Sequence, residues 1–141
     1  MNKINLQRAI LGGLVAGLVL NIGEFVLNAV ILAPQLREFM ARHNLPDDPG
    51  TNFLVVATLL TFVLGIVIVW MYAAMRPRLG PGPKTAICAG LLAWFCVYLY
   101  SGIINAMIVQ VPTNAILIAM VWGIVQYAIA GIAGAWLYRE A

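Results

Sequence analysis

Charge is what this chain has least of. Five acidic and eight basic side chains make up 9% of its 141 residues, against about 25% in a soluble domain, which excludes an ordinary water-facing surface. Cysteine is nearly absent: Cys88 and Cys96 are the only two. Eight residues apart in one apolar segment, they would stand about 12 Å apart along a helix, too far to form a disulfide with each other, so we read them as small buried apolar side chains. The single histidine, His43, lies outside any apolar run and any metal-ligand spacing, which leaves no intramembrane histidine for haem. CxxC, HExxH, paired carboxylates and a nucleophile beside a base are all missing, so the expectation is a protein that is not an enzyme and carries no cofactor or metal. Alternation of apolar and polar residues at period two is missing too, which removes a membrane barrel.

What is present is apolar length. The chain is 63% hydrophobic with a mean hydropathy of +0.96. Four stretches each exceed the roughly 20 residues that cross a hydrocarbon core: about residues 10–33, 53–75, 86–111 and 115–138. Only helices or closed barrels satisfy every backbone polar group in lipid. The expected fold is therefore an all-α integral membrane protein, a bundle of four transmembrane helices forming one domain over residues 1–141. The first stretch is too long for the apolar part of a signal peptide, and it ends at Ala33-Pro34 without a small-residue cleavage pattern. We expect it to be retained.

The basic residues are scattered over loops and ends, a distribution that argues against nucleic acid and serves as a topology signal. Lys3, Arg8, Arg76, Arg78, Lys84 and Arg139 fall on one side, and only Arg37 and Arg42 on the other. Both termini and the inner connection, residues 76–85, should lie in the cytoplasm, with residues 34–52 forming the outer loop of a multi-pass cell-membrane protein. In that loop Leu36, Phe39, Met40 and His43 share one face of a possible short interfacial helix. Thr51 and Thr113 stand where N-caps of the second and fourth helices are expected.

Shifting the chain by 77 residues lays Ala9–Ala16 over Ala86–Ala93 and Leu27–Leu32 over Ile104–Val109, with eight identities over the 24 positions of the ungapped window 9–32. Apolar composition alone would match roughly one position in ten. The expectation is an internal repeat of two helical hairpins entering from the same side. Gly12, Gly13, Gly17, Gly123, Gly131 and Gly134 read as close-packing positions between helices.

One charged side chain, Glu24, falls inside the four stretches. Asn21, Glu24 and Asn28 follow Gly17 at steps of four, three and four, which keeps them on one helical stripe. The 77-residue shift carries that stripe onto Tyr98, Ser101 and Asn105, so Glu24 should meet the hydroxyls of Tyr98 and Ser101, with Asn28 facing Asn105. Counting from the helix ends puts Thr61 and Gln126 at similar depth. An ionised carboxylate there costs about 2.5–3.5 kcal/mol or more, so Glu24 should face the interior and either hold a proton or be paired. A glutamine would join helices without that penalty. The expected function is a proton- or cation-coupled carrier of a small cation or polar solute. Glu24 would be the proton or cation site, lined by Asn21, Asn28, Tyr98, Ser101, Asn105, Thr61 and Gln126. The alternatives are a non-enzymatic scaffold or auxiliary subunit, in which the polar layer only specifies packing, and a lipid-binding protein. Membrane lipid is the expected partner, and a homo-oligomer is expected because four helices are few to enclose a path.

Overall fold

The structure, a computed structural model, describes residues 3–139. It contains no strand among those residues, and four of its helical runs are long and apolar enough to cross a membrane: Leu6–Ile31, Thr51–Leu79, Pro83–Val109 and Thr113–Leu137. This is the four-helix membrane bundle that composition predicts. At 25 to 29 residues and 1.5 Å per residue, each run exceeds the roughly 30 Å hydrocarbon core, so each tilts or projects beyond it.

The helix ends follow from local chemistry. Helix α1 (Leu6–Val26) starts where Asn5 Oδ1 accepts from the Arg8 backbone N–H at 3.1 Å, and the π-helical turn Leu27–Ile31 continues it. Helix α2 (Ala33–Arg42) is the short outer-loop helix, with Pro34 in its first turn. Asn44, at φ 52°, provides the left-handed residue that ends such a helix. Helix α3 (Thr51–Leu79) runs through Pro77 in its last turn. The third span comprises α4 (Pro83–Trp94), the π-helical run Phe95–Tyr100 and α5 (Ser101–Val109), and the fourth is α6 (Thr113–Leu137).

Three local expectations change. Thr51 and Thr113 are first helical residues and not caps: Gly50 and Pro112 occupy the cap positions, without a side-chain bond. The connection expected over residues 76–85 shrinks to Gly80–Gly82, where φ of 80° at Gly80 and 134° at Gly82 suits glycine alone. Thr85 Oγ1 donates to the Gly80 carbonyl at 2.7 Å and secures that turn. Cys88 is half-buried, but Cys96 is exposed on the outside of the bundle.

Packing is tight at the end that holds the termini and loose at the end that holds α2. A Cβ built on Gly13 would stand 2.3 Å from the Ile66 Cα, and one on Gly65 2.3 Å from the Gly13 carbonyl oxygen, so α1 and α3 touch backbone to backbone. A Cβ on Gly12 would stand 2.4 Å from the Gly134 carbonyl oxygen of α6, and Gly90 and Gly131 bring α4 against α6 in the same way. Small residues permit this approach, and dispersion between the backbones then replaces the hydrophobic effect that lipid cannot supply. Beneath these crossings Ala9, Ala16, Ile68, Val69, Ala73, Ala89 and Ala130 fill the core. Tyr72 and Tyr138 close it, edge to face at 6.0 Å, with the Arg76 guanidinium over both rings. At the other end α5 and the π-helical run before it have no buried residue, and the spans part. Leu6 and Pro83, which open the first and third spans, are 77 residues apart. The π-helical turns nevertheless fall at different places along those two spans.

Candidate functional site

The gap between the parted helices is a cavity of about 1000 Å³. Asn21, Glu24 and Asn28 of the first span line it, with Thr58 and Thr61 of α3, Tyr98 of the third span and Tyr127 of α6. Leu36, Arg37 and Met40 of α2, with Asp47 of the following loop, form its mouth. Its walls are otherwise apolar, and Leu20 and Leu64 lie where it meets the packed half. Counting seven residues from Ile31, Glu24 sits about 10 Å inside the first span.

Glu24 is held from three directions. The Tyr98 hydroxyl donates to Oε1, Gln126 Nε2 donates to the same oxygen at 2.6 Å, and Asn28 Nδ2 donates to Oε2 at 3.2 Å. All three partners donate, so both carboxyl oxygens act as acceptors.

The orientation of Gln126 is set from behind. Trp122, one turn earlier on α6, carries an indole N–H that can only donate. It donates to Gln126 Oε1 at 3.0 Å and to the Gly23 carbonyl at 3.1 Å, which leaves Nε2 to face the carboxylate. Gln126 is only 5% exposed, so an amide turned the other way would bury unpaired groups at about 1–3 kcal/mol. Gly23 is what admits it: a Cβ there would lie 2.1 Å from Gln126 Oε1. Tyr127 packs edge to face on Tyr98 with centroids 5.6 Å apart, which holds the phenol in place.

The structure brings Glu24, Asn28, Tyr98 and Gln126 into one hydrogen-bonded cluster. Asn21 lines the same cavity and donates to the Gly17 carbonyl at 2.9 Å and to the Thr58 carbonyl at 3.5 Å. Thr61 also lines it, bonded to the Ala57 carbonyl of its own helix. Ser101 and Asn105 do not join the cluster. Ser101 Oγ donates to the Cys96 carbonyl five residues back, and Asn105 Nδ2 to the Ser101 carbonyl; both side chains are exposed. The expected pairing of Glu24 with Ser101, and of Asn28 with Asn105, does not occur because Phe95–Tyr100 is π-helical. Bonds from i to i+5 hold more residues per turn than an α-helix does, so the face that carries Tyr98 no longer carries Ser101. Asn105 instead borders a second, smaller cavity of about 350 Å³ beneath α2, shared with Tyr98, Gln35 and Phe39.

Sequence reasoning missed Trp122, Gly23 and Tyr127. A Trp four residues before the one glutamine of α6 is a signal, because residues at that spacing share a helix face. His43 stacks on Phe39 at 4.2 Å and bonds the Phe39 carbonyl, which accounts for it as part of the end of α2.

The fold and site define a class: a four-span helical membrane bundle, sealed by glycine-mediated packing in one half and opening in the other onto an apolar cavity with a carboxylate in its wall. Compared with protein families, with curated proteins and with solved structures, the chain gives no match.

Proposed function

We propose that this protein is a small membrane carrier in which Glu24 exchanges a proton for a cationic solute. The observation that carries the reading is the position of the carboxylate: hydrogen-bonded on one side, it borders a cavity of about 1000 Å³ on the other. A glutamate that served only to join helices would be enclosed by its partners. Below the cavity the helices touch backbone to backbone at glycine crossings, which supports a carrier resting open to one side. The distribution of Lys and Arg supports cytoplasmic termini, and with that orientation the cavity faces outward. Completing the path to the other side requires a second arrangement of the spans or a second copy of the chain, and a homo-oligomer is part of the proposal.

Proton release tests it. Cations added to the purified protein in weakly buffered detergent solution should acidify the solution, and Glu24→Gln should abolish this while the protein remains folded. Equal release from the variant overturns the reading.

A further inference from the structure

Resting on the carrier reading, we infer that the cation taken by the cavity is an organic amphipath, an ammonium or similar monocation with a lipophilic body, and not an inorganic ion. Four features of the site carry this inference.

The first is the chemistry around the carboxylate. A bare metal cation must replace its water shell with several oxygen ligands. Every side chain that reaches Glu24 presents a donor: the Tyr98 hydroxyl, Gln126 Nε2 and Asn28 Nδ2. The remaining amide oxygen of Gln126 is occupied by Trp122. A carboxylate already engaged by three donors neutralises a charge more readily than it enters the oxygen shell of a metal ion. An organic ammonium needs only the charge.

The second is the wall. Phe25, Phe53, Tyr98 and Tyr127 line the cavity from four different spans. Aromatic rings and a carboxylate in one cavity form a site for an alkylated cation, which the ring faces attract. The rest of the lining is aliphatic, and the volume lies at the top of the roughly 300–1000 Å³ range of small-molecule sites.

The third is charge. Arg37 and Asp47 at the mouth are of opposite sign, so Glu24 supplies the net charge of the lining. The fourth is access. Phe25, Phe53, Leu54 and Val97 line the cavity and are also exposed on the outside of the bundle. The cavity is thus continuous with the surface that faces lipid, where a lipophilic cation concentrates.

The test is calorimetric titration of the protein in nanodiscs with three chlorides: benzyltributylammonium, tetramethylammonium and sodium. The expected result is benzyltributylammonium binding at least about tenfold tighter than either small cation, weakened at least about tenfold by Glu24→Gln. Ala57→Trp, which fills the cavity from α3 and removes no hydrogen-bond partner of Glu24, should abolish it even if the glutamate variant fails to fold. Glu24-dependent binding of sodium or tetramethylammonium as tight as that of the large cation overturns the organic substrate and leaves the carrier standing. Binding of the large cation that survives both substitutions overturns the site itself. If none of the three binds and none releases a proton, the carrier reading falls with it.

Discussion

The side chain of Gln126 occupies the space in which Gly23 would have a Cβ, 2.1 Å from the point where that atom would stand. The missing methyl lets α6 deliver an amide to Glu24, the residue next to Gly23. Gly23→Ala should therefore displace Gln126 and destabilise the bundle by about 1–3 kcal/mol through overpacking. It should also lower proton release at Glu24. Thermal unfolding in detergent and the acidification assay measure the two effects, and a variant unchanged in both would remove Gly23 from the site.

Trp122→Phe keeps most of the ring and deletes the donor that orients Gln126. Stability should fall by about 1–3 kcal/mol, because the buried Gln126 amide oxygen loses its donor. The carboxyl stretching band of Glu24 in infrared difference spectra, assigned against Glu24→Gln, should shift because the amide is free to turn. An unshifted band would show that Trp122 does not govern the carboxylate.

Binding of a lipophilic cation should weaken as the pH falls. In the proposed exchange proton and cation compete for one carboxylate, so the apparent affinity should fall with pH in the protein and not in Glu24→Gln. Calorimetry from pH 5 to pH 9 measures it, and a profile that is flat, or identical in Glu24→Gln, contradicts the exchange.

Two glycines should respond oppositely to alanine. At Gly65 the new methyl would meet the backbone of Gly13 and Gly17 at 2.3 to 2.7 Å, and backbone cannot yield. At Gly102 it meets only the Met120 Cε at 3.0 Å, the end of a flexible side chain. Gly65→Ala should cost about 1–3 kcal/mol or more, and Gly102→Ala within about 0.5 kcal/mol of zero, both read by thermal unfolding.

Orientation is open to labelling. Asp48→Cys, in the loop after α2, should react with an impermeant maleimide in intact cells in a background with Cys88 and Cys96 replaced by alanine. Lys84→Cys, beside the Gly80–Gly82 turn, should react only after permeabilisation. The reverse pattern would invert the bundle and turn the cavity toward the cytoplasm.

Much of the architecture was legible before folding was considered, and the site only in part. The four spans, the short amphipathic helix of the outer loop and the glycine contacts follow from runs and spacings. Glu24 stood out as the single charge in an apolar stretch. Tyr98 follows from the 77-residue shift and Gln126 from depth, and both are its partners. Ser101 and Asn105 were misplaced because the count used 100° per residue through Phe95–Tyr100, where the helix is π-helical. Nothing in FCVYLY announces that change of pitch.

By itself the sequence determined what is local: which segments are apolar enough to lie in lipid, and that each must be helical because lipid leaves backbone groups no other partner. It also determined that one carboxylate enters with them. Tertiary structure decided which way each helix is turned and how far the helices part, since both depend on contacts between residues distant in the chain. Gly65 admits the backbones of Gly13 and Gly17, Gly23 admits Gln126, and Trp122 sets the amide. Close packing at one end and a π-helical run in the third span left the other end open, with Glu24 at the boundary.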